Sequence, residues 1–207
     1  VGVTGIALAV LISGRGSNLQ ALIDACARDD FPARIAVVVS NRPGVAGLDR
    51  ARRSGIPALT VDHKAYPTRE TFEAALQETL DRYPVDLVCL AGFMRLLTPG
   101  FVARWENRML NIHPSLLPDY KGLDTHARAL ADGRTQAGCT VHFVRPAMDD
   151  GPVVVQRRVP ILPGDTPDSL AARVLEQEHE AYPQAVRLFA QGRLRLAGDI
   201  VDIMPTP

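Results

Sequence analysis

The chain has 207 residues, 46% hydrophobic and 22% charged, with 23 basic side chains against 23 acidic ones. That balance excludes a disordered or fibrous polypeptide, and zero formal net charge argues against a nucleic-acid partner, which needs a basic face. No apolar run approaches the roughly 20 residues of a membrane helix, and residues 1–9 lack the basic start and cleavage pattern of a signal peptide.

In chain order, short β-branched runs at 7–12, 35–40, 58–61, 87–91, 109–113 and 140–144 read as strands. They alternate with helix-permissive segments at 17–28, 44–54, 69–82, 98–105 and 125–132. The Ala-Val-Val-Val run at 36–39 has no polar alternation, so that strand is expected to be covered on both faces. A strand at 153–161 follows 140–144 after a short connection containing Pro and Asp, which favours an antiparallel pair over another crossover. Thr166 and Pro167 then mark the start of a long helix over 167–190, and 193–201 suits a small final hairpin. The fold class is α/β: a doubly wound, mostly parallel sheet with helices on both faces and an antiparallel C-terminal part, in one domain spanning 1–207. Cys26, Cys89 and Cys139 are odd in number, widely spaced and set in apolar stretches, which fits a reducing cytoplasm and no disulfide framework.

Three places carry chemistry. The loop Ser13-Gly14-Arg15-Gly16-Ser17-Asn18 joins the first strand to the first helix, where helix-start amides favour an anion. Leu19 stands where the dinucleotide fingerprint requires glycine, and the Gly-Lys-Ser/Thr of a P-loop is missing. A terminal phosphate on the glycine turn, Ser17 and Asn18, or a plain tight turn with Ser17 as helix cap, both remain open. In Met109-Leu110-Asn111-Ile112-His113-Pro114, alternation puts Asn111 and His113 on one face at a strand end. An amide donor beside an imidazole suits oxyanion stabilisation and proton movement in acyl transfer, against the ordinary role of such groups as caps or satisfied core residues. Asp149, on the turn after the next strand, would favour the protonated imidazole and orient it. Finally, Glu178 falls within the apolar stripe Ala171, Val174, Leu175, Ala181, Tyr182 and Ala185 of the long helix, so its carboxylate needs a partner. His142 shares a strand with Val141 and Phe143 but faces the other way, toward the site or into a structural hydrogen bond. His63, His126 and His179 show no ligand spacing, and no metal is expected.

The run Asn111-Ile112-His113-Pro114-Ser115-Leu116-Leu117-Pro118, with Gly92-Phe93-Met94-Arg95 before it and Asp149 after it, resembles the formyltransferases that use 10-formyltetrahydrofolate. The loop at 13–19, the strand Cys139–Val144 and Gln177-Glu178-His179 narrow the resemblance to the branch acting on glycinamide ribonucleotide, over nearly the whole chain. The resemblance implies a catalytic set of Asn111, His113 and Asp149, a ribose-phosphate site at Arg15 to Asn18, and the substrate amine at Glu178. It also implies folate contacts at Arg69, Met94, Arg95, Leu97, Arg145, Pro146, Ala147 and Met148. The halves then divide as a ribonucleotide-phosphate part at about 7–110 and a catalytic and folate part at about 111–195. The expected partners are two small-molecule substrates, 10-formyltetrahydrofolate serving as co-substrate, with no nucleic acid and no membrane, in a monomer or homodimer. Two departures stand out: Arg15 where Asn is common, and Asp124 where many relatives carry His.

Three alternatives compete. A formyltetrahydrofolate hydrolase shares the Asn-His-Asp set but normally has an extra N-terminal domain, for which 207 residues leave no space. A methionyl-tRNA formyltransferase is disfavoured by neutral charge and a missing C-terminal domain. A non-catalytic sugar-phosphate binding module would use the same polar groups only as ligands.

Overall fold

The computed structural model describes residues 5–206, so part of the 1–9 segment read for a leader lies outside the described residues. The elements run β1 (Ile6–Ile12), α1 (Ser17–Cys26), β2 (Ala33–Ser40), α2 (Ala46–Arg53), β3 (Ala58–Thr60), a 3-10 turn at His63–Ala65, α3 (Arg69–Leu80), β4 (Leu87–Leu90) and α4 (Pro99–Arg104). They continue as β5 (Met109–His113), α5 (Thr125–Ala131), β6 (Gln136–Phe143), β7 (Val153–Pro160), α6 (Pro167–Ala190), β8 (Leu194–Ala197) and β9 (Ile200–Ile203). Seven strands are hydrogen-bonded in the order β3-β2-β1-β4-β5-β6-β7, and β8 pairs β9 separately. The chain divides into two compact units, Val1–Leu110 and Asn111–Pro207.

In the first unit β1 pairs in parallel with β2 and β4, and β2 with β3. Parallel pairing fits the continuous apolar runs, because strands covered on both faces have no polar side: residues 36–40 and all of β4 are buried. The order β3-β2-β1-β4 reverses direction between β1 and β4. Right-handed crossovers therefore put α1 and α2 on one face and α3 on the other. Such a reversal opens a crevice beyond the strands' carboxyl ends, the usual ligand position in doubly wound sheets. Here those ends are the loops after Ile12 and after Leu90. Helix α3 starts on a reciprocal cap between Thr68 and Thr71, a device worth about 1 kcal/mol. Behind α4, Trp105 is buried; its indole N–H donates to Gln77 Oε1 at 2.8 Å, and the Arg108 guanidinium lies 4.8 Å from the ring centre.

In the second unit β6 and β7 form the expected antiparallel pair, in register from Gln136 with Pro160 to His142 with Val153, with a slip between Val141 and His142. Strand β6 begins four residues before the expected 140, at Gln136. Gly138 and the polar Gln136 hid this extension, and cross-strand pairing of Ala137 with Val159 supplies what propensity lacks. Helix α6 carries the expected start: Thr166 and Ser169 cap each other and Pro167 occupies the first turn. Its buried stripe is Leu170, Val174, Glu178, Ala181, Tyr182 and Ala185, one residue away from the expected Ala171, which is only half-buried like Leu175. The helix runs on through Pro183, whose missing amide leaves one internal bond unmade.

Candidate active site

In the first unit, β1 delivers the Ser13–Asn18 loop. Gly16 has φ 73° and is itself the cap of α1, with no side-chain cap bond. Ser17 is thus the first helical residue, and the reading of Ser17 as a side-chain cap is corrected: the left-handed turn at Gly16 already starts the helix. A Cβ on Gly16 would stand 2.8 Å from Gly47 Cα, so only glycine fits. Arg15 is exposed, Ser17 half-buried and Asn18 buried. Sequence reading missed Arg50, which donates to the Arg15 carbonyl at 2.8 Å and to Gln20 Oε1 at 3.2 Å and so adds positive charge beside the loop. Nothing in the spacing links residues 35 apart. Ser13 donates to Asn41 Oδ1 at 2.5 Å and accepts from the Met94 amide at 2.8 Å, which ties this loop to the one after β4. On that second loop Met94 is 61% exposed while Arg95 and Leu97 are half-buried. Arg69 is exposed at the first position of α3.

In the second unit, β5 presents Asn111 and His113 in alternation, Asn111 half-buried and His113 5% exposed. His113 Nε2 lies 2.8 Å from the Tyr120 carbonyl and donates to it, while Nδ1 is 3.4 Å from Asp149 Oδ2. Asp149 accepts from the Gly122 amide at 2.9 Å. Carboxylate and imidazole therefore meet although 36 residues separate them, because the turn after β6 folds back. A Cβ on Gly151 would fall 1.6 Å from the Phe143 carbonyl oxygen, so glycine is what lets this turn close. Asp149 has φ 51°, and Tyr120 and Asp124 have φ 56° and 55°, left-handed conformations uncommon outside glycine. Such residues gather where a site holds its groups in place. Asp124 uses that conformation to start α5, without a side-chain cap bond. On the approach to Asp149, Arg145 is half-buried and donates to the Val144 carbonyl, while Pro146, Ala147 and Met148 are exposed.

For His142 the sequence left open a place in the site or a structural hydrogen bond. Its Nε2 stands 3.1 Å from Asn111 Nδ2 and 3.8 Å from Asp149 Oδ1, and its Nδ1 is 2.9 Å from the Phe143 carbonyl. Burial pushes this imidazole below its ordinary value, partly offset by the Phe143 carbonyl and Asp149. His126 is lowered too, by burial and then by the neighbouring imidazole of His113. It lines a cavity of about 350 Å³ walled by the segment 114–120, Arg134 and Arg158. Asn111, His113 and Asp149 are not in that wall.

Glu178 is 7% exposed on the face of α6 that packs on β6 and β7. Burial, and then the Glu178 carboxylate, push the Cys139 thiol on β6 up to about 12. Among the described residues no group of three or more His, Cys, Asp or Glu is arranged to hold a metal ion, and no helix is long and apolar enough to cross a membrane. Chemically, the second unit offers an amide donor, an imidazole set between two acceptors, and a carboxylate. That equipment can hold an oxyanion and move a proton.

Residues 6–186 match the family model described as formyl transferase. The chain is 48% identical over 189 residues to phosphoribosylglycinamide formyltransferase of Escherichia coli (strain K12), covering 91% of this chain and 89% of that protein. It is 49% identical over 189 residues to the trifunctional purine biosynthetic protein adenosine-3 of Bos taurus, covering 91% of this chain. It spans only 19% of that protein's length. Among solved structures, glycinamide ribonucleotide transformylase 1 from Symbiobacterium toebii superposes with a TM-score of 0.95 at 51% identity, covering 98% of this chain and 95% of that one.

Proposed function

The chain belongs to the formyl transferase family, and from that premise we propose that it transfers the formyl group of 10-formyltetrahydrofolate to the amine of 5'-phosphoribosylglycinamide. The products are the N-formyl ribonucleotide and tetrahydrofolate, a step in purine synthesis. Supporting the choice of acceptor, the E. coli relative that carries this activity in its name matches along nearly its full length. The observation that carries the chemistry is the approach of Asp149 Oδ2 to His113 Nδ1 at 3.4 Å, on the strand that also holds Asn111.

The substrate amine attacks the formyl carbon, and the carbonyl oxygen becomes an oxyanion. Asn111 donates to that oxygen. Protonated His113 turns an N–H toward it once the Tyr120 carbonyl, its present acceptor, gives way. Asp149 orients the imidazole and, through a water, assists removal of the proton from the attacking nitrogen. Collapse breaks the bond to N10 of the folate, which leaves with a proton. Gly16, Ser17 and Asn18, with Arg15 alongside, take the ribose phosphate, and Glu178 takes the amine end of the ribonucleotide. Met94, Arg95, Leu97 and residues 145–148 contact the folate, and Arg69 its glutamate tail. The free thiols suit a reducing compartment, the cytoplasm.

One assay tests this reading: the protein is incubated with 10-formyltetrahydrofolate, with and without the ribonucleotide, and loss of formyl-folate is followed. Loss is expected only with the ribonucleotide present. Equal loss without it would make water the acceptor, and no loss in either case would overturn the enzyme reading.

A further inference from the structure

The contact between Asn111 and His142 has a defined polarity. Nδ1 of His142 lies 2.9 Å from the carbonyl oxygen of Phe143, which can only accept, so Nδ1 carries a proton. In a neutral ring Nε2 is then a bare acceptor. It faces the side-chain nitrogen of Asn111 at 3.1 Å, while the nearer oxygen of Asp149 stays back at 3.8 Å. That ordering is what a lone pair produces: it attracts an N–H and repels a carboxylate. We infer that His142 is a positioning residue whose Nε2 lone pair decides which end of the Asn111 amide faces the reacting oxygen.

The inference rests on the formyl-transfer reading and concerns a group that need not touch substrate. An Asn side chain is nearly symmetric in shape, and a 180° flip about its last bond exchanges donor for acceptor. If the flip occurred, Asn111 would present its oxygen to a developing oxyanion and repel it. With one N–H held by His142, the amide keeps its second N–H for the carbonyl oxygen. The groups facing the ring are Asn111 and His113 on β5, Asp149 on the turn after β6 and the Phe143 carbonyl. At 2% exposure His142 has little water to replace Asn111 as a partner. Burial disfavours the charged ring, which keeps Nε2 an acceptor under working conditions. Protonation of Nε2 would turn it toward Asp149 and release the amide.

The test uses two substitutions that keep different atoms of the imidazole. His142→Asn places a polar group near the position of Nδ1, and His142→Gln places one near that of Nε2. If Nε2 is the working atom, His142→Asn lowers kcat about 100-fold, as for loss of an oxyanion donor, with each KM within about 3-fold of the parent. His142→Gln stays within about 10-fold of the parent in kcat, because its carbonyl can accept from Asn111. The opposite ranking would assign the residue only an anchoring bond to Phe143 and overturn the proposal. A second readout needs no turnover: 15N NMR of histidine-labelled parent protein at neutral pH is expected to show His142 protonated at Nδ1 and bare at Nε2. A proton on Nε2 would overturn the proposal even in an active enzyme, and the expected tautomer in an inactive protein would leave the fault with the formyl-transfer reading.

Discussion

Asp149 holds a left-handed backbone conformation, accepts from Gly122 and stands 3.4 Å from the imidazole of His113. In the proposed mechanism Asp149 orients the imidazole and assists loss of the amine proton through a water, while His113 donates to the oxyanion. His113→Ala is therefore expected to fold and to bind the ribonucleotide within about 3-fold of the parent, while turnover falls by about 100-fold or more. Equilibrium binding and single-turnover rates measure the two separately; lost affinity with unimpaired turnover of bound substrate would contradict the role. Strand alternation was enough to pair Asn111 with His113, and Asp149 was recognisable as an acid on a nearby turn. What alternation could not supply was distance. For His142 it gave the side of the strand but not its partners, which depend on Phe143's own carbonyl and on the turn that brings Asp149 back. Arg50 carried no signal at all, since its place beside Arg15 is created by the packing of α2 against α1.

Elements were more legible than contacts because hydrophobic period and end signals act over a few residues. Thr166 and Pro167 announced α6, and the apolar runs announced β1, β2 and β4. The misreadings fell where pairing overrides local preference, as at the start of β6, or where conformation substitutes for a side chain, as at Gly16. Gly16→Ala tests the latter: a Cβ in the left-handed region costs about 1–2 kcal/mol, before the contact with Gly47 is counted. The expected result is a lower urea midpoint and a ribonucleotide Kd raised roughly 10-fold or more; an unchanged Kd would remove this loop from phosphate binding. At the start of α6, the Arg173 guanidinium meets both Asp165 oxygens at 2.7 and 2.9 Å and, with the Leu162 amide at 2.8 Å, holds that carboxyl below the usual carboxylate range. A carboxyl depressed in the folded state adds stability above its unfolded pKa of about 4 and loses it as pH falls through the lower folded value. Asp165→Asn should thus lower the thermal midpoint at pH 7, and the gap from the parent should close as the medium is acidified. A gap that widened in acid would reverse the sign of the interaction.

For the whole molecule, the thiols give a test of burial across both units. Burial pushes Cys26 up to about 12 and Cys139 likewise, and Cys89 is fully enclosed. In the native protein the buried Cys89 and Cys139 should react slowly with a thiol reagent at pH 8, the half-buried Cys26 faster than either, and all three cysteines should react promptly after unfolding in denaturant without reductant. More than one rapid native equivalent would contradict this packing. Neutral composition narrowed the functional class from the outset, whereas the division at Leu110 and Asn111 left no composition shift to read. The chain's single tryptophan has a further use. Because Trp105 sits in the first unit with its indole bonded to Gln77 and covered by Arg108, its emission is a native optical gauge of that unit. The imidazole signals of His113, His126 and His142 belong to the other unit. Fluorescence and NMR on the unmodified protein can therefore time the melting of each half separately, with no label introduced.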